Sequence, residues 1–246
     1  MKQTFLIENK KFQVSDLFKN KITIKSHPLK YDVLFQKFNN YFDEYDVLLV
    51  DKKVAKLYNI NHNKMFIVDA NEKSKSINTV LKICNYLSQI NFDKAYTLHV
   101  IGGGIVQDLG AFTSKIYKRG INWIFYPTTL LSQCDSCIGG KTALNFNKLK
   151  NQLALFSAPS KVIIDINFLE TLSKRDILSG YGEIIKLFLN TKYVWGGKSY
   201  KGIDCSAILQ LFFYYNGIFY PRDTKDQIKY FSKSNELQKF KKGDIL

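Results

Sequence analysis

Short apolar runs alternate with amphipathic stretches along the first 190 residues. Continuous apolar runs of four or five residues are typical of parallel strands buried on both faces. They occur at residues 47–50 (VLLV), 65–68 (MFIV), 97–101 (TLHVI), 121–125 (INWIF) and 162–165 (VIID). Helical spacing over residues 74–90 predicts a helix with Ser74 or Ser76 as its N-cap. The alternation predicts an α/β fold with a doubly wound parallel sheet.

The pattern changes after about residue 190. Turn-rich segments with many aromatic residues come first, and a polar, lysine-rich stretch follows. The apolar stretch at 205–221 is interrupted by Gln210 and Asn216 and is shorter than the roughly 20 apolar residues of a spanning helix. We therefore expect two parts, a domain over 1–189 and a truncated α+β fragment over 190–246, and no association with a membrane.

Composition and charge narrow the class of partner. With 46% apolar and 15% aromatic residues, the chain can bury a core. Its net charge is +15, from 36 Lys and Arg against 21 Asp and Glu, yet arginine occurs only at 119, 175 and 222. A nucleic-acid binder more often clusters its cations and uses arginines for bidentate contacts. We expect an anionic small molecule as the partner and no nucleic acid.

The first twelve residues and the cysteines bear on the compartment. Glu8 and three lysines interrupt the N-terminal segment, so it contains no apolar run long enough for a signal peptide. Four cysteines without an export signal do not make a disulfide framework. We expect a cytoplasmic protein with free thiols.

A triple glycine follows the third apolar run directly. Gly102, Gly103 and Gly104 stand between a predicted strand and a predicted helix over 105–117, which is a phosphate-binding geometry because the backbone can approach a ligand at a helix N-terminus. The spacing is not GxGxxG, so a βα turn without a ligand is the alternative. Asp51 follows the first strand and is a candidate to bind a ribose hydroxyl or to cap a helix.

Longer motifs follow in order between Ile101 and Lys186. They read GGGxxxDxxxF, RG, PTTLLxQxDSxxGGKT, KN and GExxK, and NEKSK stands upstream at 71–75. In this order and spacing they resemble the 3-dehydroquinate synthase family and its sugar-phosphate cyclase relatives. The resemblance implies a lyase of the shikimate pathway, which leads to aromatic amino acids. Such an enzyme uses NAD and a divalent metal, zinc or cobalt, to eliminate phosphate from a phosphorylated hydroxy-acid sugar and close a ring. The resemblance is also consistent with a homodimer.

The resemblance also assigns site residues by position. Asp135, Lys141, Asn151 and Lys186 match substrate-site residues, Arg119 matches an arginine that reaches the substrate phosphate in the neighbouring subunit, and Glu183 matches the first of three metal ligands. An ordinary surface lysine at 141 and a solvated carboxylate at 183 are the alternatives. Positions that match the NAD site are Asp51, Glu72, Lys75, Gly102, Gly103, Gly104, Asp108, Thr128, Thr129, Lys141, Lys150, Phe168 and Thr171.

The chain departs from the family's motifs at several positions. Gln107 stands where glycine is usual, Cys137 replaces a serine, and Phe146 stands where histidine often follows asparagine. Cys134 and Cys137 have the spacing of a redox or zinc motif. Both lie inside the loop in which Asp135 acts in the family, so we do not expect a redox role.

The histidines fall outside the positions that the family's metal site needs. They occur only at 27, 62 and 99, whereas the family's two histidine ligands come after the position of Glu183. One carboxylate leaves most of a tetrahedral metal site without protein ligands. We therefore expect NAD binding together with an incomplete metal site.

Residues 190–246 resemble the start of an NlpC/P60 cysteine peptidase domain. The segments YVWGG, GxDCS, PRDTxxQ and KKGDIL carry the likeness. Cys205 stands at the start of an apolar helical pattern, where a thiol pKa is lowered and a nucleophile can form. Asp204, Ser206 and Tyr193 match substrate-pocket positions. The family's base is a histidine, which is absent here, so a buried inert Cys205 is the alternative. Three hypotheses stay open: an incomplete cyclase, a peptidase fragment, and a non-catalytic NAD-binding chimera.

Overall fold

The computed structural model describes residues 3–7, 10–14, 21–25 and 30–186, with shorter pieces at 194, 198–199, 202–204, 206–207, 210, 223 and 225–226. The chain divides into two compact units, Met1–Gly180 and Tyr181–Leu246. Among the described residues, no helix has the length and apolar character needed to cross a bilayer. The predicted division at 189/190 stays a prediction.

The first unit alternates strands and helices. Its helices are α1 (Lys52–Leu57), α2 (Ile77–Gln89) and α3 (Gly104–Ile116), and α4 (Lys174–Lys186) begins in it. Short 3-10 turns at Tyr117–Arg119 and Ile166–Thr171 and a π-helical turn at Ser132–Ser136 complete it. The strands are β1 (Gln3–Ile7), β2 (Lys10–Val14), β3 (Lys21–Lys25), β4 (Lys30–Phe35), β5 (Asp46–Asp51), β6 (Met65–Val68), β7 (Thr97–Gly102), β8 (Trp123–Pro127), β9 (Lys141–Phe146), β10 (Leu149–Phe156) and β11 (Lys161–Ile164).

Seven strands form one sheet in the order β3-β4-β11-β8-β7-β5-β6. Every neighbouring pair is parallel except β3 with β4. The predicted α/β fold is thereby confirmed. Four of the five apolar runs become strands within one residue of their predicted bounds. The strand β8 begins two residues later than predicted, because the Ile121 N–H bonds to the Ser114 carbonyl instead of to a neighbouring strand.

The two faces of the sheet are buried by different elements. Successive strand residues point to opposite faces. Accordingly, Val47 and Leu49 lie in a core cluster with the apolar residues of α2 and α3, whereas Leu48 and Val50 lie in a second cluster. That second cluster contains α1 residues and the aromatic rings of the segment before β5. The parallel arrangement puts the carboxyl ends of β5, β7 and β8 at one edge, where sites of open α/β sheets form.

Two antiparallel pairs complete the first unit. The strands β1 and β2 form one, and β9 and β10 form the other. The turn of the β9–β10 hairpin has Asn147 and Lys148 at positive φ, and a register shift between Leu149 and Leu153 holds Asn151 at φ 56°. In the second unit, β12 (Lys198–Ser199) pairs with β13 (Gly202–Ile203).

Candidate functional site

The glycine turn joins β7 to α3 where neighbouring side chains leave little room. A Cβ on Gly103 would lie 2.9 Å from Thr129 Cγ2, and a Cβ on Gly102 would lie 2.8 Å from Val106. At Gly104 the nearest atom to such a Cβ is Ser136 Oγ, at 3.9 Å. The turn is therefore closely packed at Gly102 and Gly103 and open at Gly104, where α3 begins. The unpaired N–H groups of the first turn of α3 can meet a phosphate there.

Asp108 connects α3 to two other segments of the site. Lys75 Nζ lies 2.7 Å from Asp108 Oδ2, and the two side chains are only 13% and 17% exposed. The other carboxylate oxygen, Oδ1, accepts hydrogen bonds from Thr142 Oγ1 at 2.8 Å and from the Ala143 N–H at 3.1 Å. The carboxylate is thus fixed between the loop before α2 and the strand β9.

Lys75 has a second polar partner. Its ammonium group donates to Asn151 Oδ1 at 2.8 Å. Since an ammonium group has three hydrogens, the bonds to Asp108 and Asn151 leave one for a ligand. Residues far apart in the sequence, at 75, 108 and 151, therefore meet at one point.

A cleft of about 440 Å³ lies between the loop before α2 and the β9–β10 hairpin. Glu72 is the acidic side chain that lines it, and Lys150 Nζ lies 3.4 Å from Glu72 Oε1. A hydrogen bond from Asn145 lowers the pKa of Glu72, Lys150 adds to this effect, and burial opposes it. Glu72 is therefore ionised at neutral pH and can accept hydrogen bonds from hydroxyl groups. The lysines that line the cleft are Lys73, Lys75, Lys148 and Lys150.

The predicted substrate-side residue Asp135 lies on the π-helical turn and is exposed. Three buried or half-buried side chains hold this turn and the loop after it. Gln107 hydrogen-bonds to Ser136, Gln133 Nε2 donates to the carbonyls of Pro127 and Asp165, and the Gly139 N–H donates to Tyr31 Oη at 2.9 Å. Lys141 is exposed at the start of β9, directly after this loop.

Cys137 is the buried member of the CxxC pair, with 1% of its surface exposed. Burial raises the pKa of its thiol to about 12, and the neighbouring Cys134 adds to the shift. A thiol with this pKa is not a thiolate at neutral pH, so it is a poor nucleophile and a poor metal ligand.

The remaining predicted cofactor residues lie along the carboxyl edge of the sheet and in the 3-10 turn after β11. Asp51 caps α1, because its Oδ1 accepts from the N–H groups of Lys53 and Val54. Thr128 is buried and its N–H donates to the Gly102 carbonyl. Phe168 is 1% exposed and packs against Tyr58, whose hydroxyl lies 2.9 Å from Thr171 Oγ1. Side-chain contact with a cofactor is thus open to Asp51 and Thr171 but not to Phe168.

Other predicted residues lie apart from this group or outside the described residues. Arg119 is exposed and lines a separate cleft with Asn122 and Ser160. Glu183 and Lys186 lie in α4, but their side chains are outside the description. Cys205 and Tyr193 also lie outside the described residues. Asp204 Oδ1 accepts from Ser206 Oγ at 3.0 Å and from the Ala207 N–H at 2.8 Å.

The donors and acceptors fit a dinucleotide but not a metal ion. A glycine turn at a helix start, an ionised carboxylate and a lysine with one remaining hydrogen suit a pyrophosphate and ribose hydroxyls. Within the described part of the chain, no three histidine, cysteine or acidic side chains are grouped so that they could hold a metal.

Comparison with known proteins decides the family of the first part. Residues 65–179 match the family described as 3-dehydroquinate synthase N-terminal. A 3-dehydroquinate synthase of Dictyoglomus turgidum is 38% identical over 188 residues, which are 73% of this chain and 53% of that protein. The resemblance to the 3-dehydroquinate synthase family is confirmed. The chain spans only about half the length of this relative.

Two solved structures share the fold. The 2-epi-5-epi-valiolone synthase ValA of Streptomyces hygroscopicus, solved with NAD+ and Zn2+ bound, is 28% identical with a TM-score of 0.59, over 65% of this chain and 50% of that chain. A 2-deoxy-scyllo-inosose synthase, solved with carbaglucose-6-phosphate, NAD+ and Co2+, has a TM-score of 0.60 at 18% identity, over 80% of this chain and 61% of that chain.

Residues 190–246 match the NlpC/P60 family, which confirms the second resemblance.

Three polar residues of the site had no assignment from the sequence. Asn145 hydrogen-bonds to Glu72, and Thr142 hydrogen-bonds to Asp108. Gln107 hydrogen-bonds to the turn that carries Asp135. Gln107 was visible only as a departure from the family's glycine. Thr142 ends the GGKT motif and Asn145 precedes Phe146, but the sequence alone assigns neither a role, because their partners are distant along the chain.

Proposed function

We propose that the first unit is the NAD-binding half of a sugar-phosphate cyclase of the 3-dehydroquinate synthase type. The observation that carries this proposal is the contact of Lys75 with Asp108 and Asn151, which joins predicted cofactor and substrate residues at one point. The ancestry of the first part supports it. The same proposal includes a location in the cytoplasm, a relation to the enzymes of the shikimate pathway and assembly as a homodimer.

NAD would lie between the carboxyl edge of the sheet and the cleft beside the β9–β10 hairpin. The amides of the glycine turn would bind its pyrophosphate, while Glu72, Asp108 and Lys75 would bind ribose hydroxyls and phosphate oxygens. Asp51 would accept a hydrogen bond from a ribose hydroxyl. The bound cofactor supplies reversible hydride transfer. The chain's own part is to fix the orientation of the dinucleotide.

The substrate would be a phosphorylated hydroxy-acid sugar. Lys141 would bind its anionic groups, Arg119 would reach the phosphate bound in a neighbouring subunit, and Asn151 would hold a ring hydroxyl. Lys186 stays a prediction from the family resemblance. Asp135, exposed on its turn, would accept a hydroxyl hydrogen bond. Because Asn151 is bonded to Lys75, the substrate and the cofactor would share one polar network.

The metal site is not carried by the described residues. Glu183 is the candidate ligand from the family, and the histidines of this sequence stand at 27, 62 and 99. His99 is bonded to Asp46 and Tyr126, so it is committed elsewhere. We propose that these 246 residues bind NAD without turnover, because the family's two histidine ligands, which would come after Glu183, are not among them.

The test is a fluorescence titration of the 246-residue protein with NADH, together with an assay for phosphate release from phosphorylated hydroxy-acid sugars. We expect saturable NADH binding that NAD competes away, and no phosphate release. Release at the rate of a complete synthase would overturn the proposal of an incomplete site. Absence of NADH binding would overturn the cofactor assignment.

For residues 190–246 we propose an NlpC/P60-type segment that shows no peptidase activity within these 246 residues. The match at 190–246 and the hydrogen bond from the Ala207 N–H to Asp204 Oδ1 support the assignment. No histidine follows position 99 to activate Cys205. Muropeptide cleavage by the 246-residue protein that disappears on Cys205→Ala would contradict this proposal.

A further inference from the structure

Asn145 lies where three segments of the site meet. Its N–H donates to the Lys75 carbonyl at 2.9 Å. Its side-chain nitrogen, Nδ2, donates to Glu72 twice, to the backbone carbonyl at 3.2 Å and to Oε2 at 2.9 Å. Its side-chain oxygen, Oδ1, accepts from the Asn151 N–H at 3.1 Å. Both side-chain hydrogens and the side-chain oxygen of Asn145 are thus bonded within the site.

The bond to Asn151 stabilises an uncommon backbone conformation. Asn151 has φ 56°, in the left-handed region, within the register shift between β9 and β10. Asparagine is one of the few residues that adopt this conformation at low cost. Its N–H turns to Asn145 Oδ1, and its side chain reaches Lys75. Asn145 thereby stabilises the backbone conformation that brings Asn151, a predicted substrate residue, to Lys75, a predicted cofactor residue.

The two bonds to Glu72 act on the other side of the site. The loop that carries Glu72 is exposed. The ion pair between Lys150 Nζ and Glu72 Oε1 is long, at 3.4 Å, and exposed to solvent. Exposed ion pairs of this kind contribute little to holding a side chain in place. The hydrogen bonds from Asn145 are shorter and one of them is charge-assisted. They are the principal restraint on the position of the Glu72 carboxylate.

We propose that Asn145 is a positioning residue that holds Glu72 on the cofactor side and Asn151 on the substrate side in one arrangement. The inference rests on the proposed function, because it assumes that Glu72 binds NAD and that Asn151 binds the substrate. It assigns no direct contact with either ligand to Asn145.

Two substitutions separate the bonds to Glu72 from the bond to Asn151. Asn145→Ala removes all three side-chain bonds, whereas Asn145→Asp keeps the acceptor for the Asn151 N–H and replaces the donor to Glu72 with a repelling carboxylate. We expect NAD affinity, measured by calorimetry, to fall about tenfold or more in both variants. In the ligand-free protein, hydrogen exchange at the Asn151 amide should rise in Asn145→Ala and stay slow in Asn145→Asp. By NMR, the pKa of Glu72 should rise towards its ordinary value in both variants.

The matched control is Asn78→Ala on the exposed face of α2, which should change none of these readouts. Thermal melts check that each variant is folded. In Asn145→Asp we expect faster amide exchange in the loop that carries Glu72, because the restraint on its side chain is lost. Adding Glu72→Gln restores a hydrogen bond with donor and acceptor exchanged, so exchange in this loop should become slow again even if NAD binding does not recover.

The outcomes are distinct. NAD affinity that is unchanged in folded Asn145→Ala but weakened in Glu72→Ala would overturn the positioning role. The same exchange rate at Asn151 in Asn145→Ala as in the wild type would also overturn it. Absence of NAD binding by the wild type would overturn the proposed function, and the exchange and NMR readouts would then decide separately whether Asn145 holds Glu72 and Asn151.

Discussion

Gln107 and Ser136 hydrogen-bond to each other twice. Gln107 Nε2 donates to the Ser136 carbonyl at 2.5 Å, and Ser136 Oγ donates to Gln107 Oε1 at 2.6 Å. Gln107 is 5% exposed and stands in the first turn of α3. The pair therefore ties the start of α3 to the turn that carries Asp135. The sequence showed this position only as a departure from glycine.

Gln107→Ala should destabilise the protein by about 1–3 kcal/mol, because it leaves the half-buried Ser136 carbonyl and hydroxyl without their partner. Urea denaturation measures the change. Gln89→Ala, at the exposed end of α2, is the matched control and should stay within about 0.5 kcal/mol of the wild type. An equally small change for Gln107→Ala would show that the pair does not hold the turn.

Two neighbouring glycines should respond differently to the same substitution. In Gly103→Ala the new methyl would lie 2.9 Å from Thr129 Cγ2, so we expect a loss of stability of about 1–3 kcal/mol. In Gly104→Ala the nearest atom would be 3.9 Å away, so stability should be kept while NAD affinity falls, because the methyl occupies the approach to the helix start. Denaturation and calorimetry on both variants check this. Unchanged NAD affinity in Gly104→Ala would remove the glycine turn from the site.

Stability should depend on pH through His99. Its Nε2 lies 2.8 Å from Asp46 Oδ1 and its Nδ1 lies 2.9 Å from the Tyr126 hydroxyl, so in the neutral form Nε2–H donates to the carboxylate and Nδ1 accepts from the hydroxyl. Burial lowers the pKa of His99, and the carboxylates of Asp46 and Asp43 only partly oppose this; the charge of His62 adds to the lowering. The unfolded chain therefore binds a proton more readily than the folded one.

The contribution of neutral His99 is fully present above the unfolded pKa of about 6.5 and is lost as pH falls through the lower folded pKa. Urea midpoints measured between pH 7.5 and pH 5 should fall more in the wild type than in His99→Gln. His62→Gln is the control, because His62 is only half-buried and hydrogen-bonds to backbone groups of Asp43 and Lys64. Parallel pH profiles in wild type and His99→Gln would contradict the assignment.

The parallel strands could be predicted because they are apolar on both faces and short. The hairpin β9–β10 could not be, because most of β10 is exposed and its residues show no continuous apolar run. In the site, the glycine turn and Asp108 follow from motifs and local spacing. The contacts of Asn145 and Thr142 depend on how β9 packs against α3 and on its bridge to Ser76, which local sequence does not specify. Strand β4 pairs with β11 across more than a hundred residues for the same kind of reason.

NAD calorimetry on the wild type and on Asp108→Asn tests most directly whether the first unit binds NAD through Asp108. The amide keeps an acceptor for Thr142 and Ala143 but loses the charge that holds Lys75. Glu44→Gln, an exposed carboxylate in the loop before β5, is the charge-matched control. We predict that the wild type and the control bind NAD equally and that Asp108→Asn, still folded, binds about tenfold more weakly or worse. Equal NAD affinity in all three proteins, or no binding by the wild type, would contradict it.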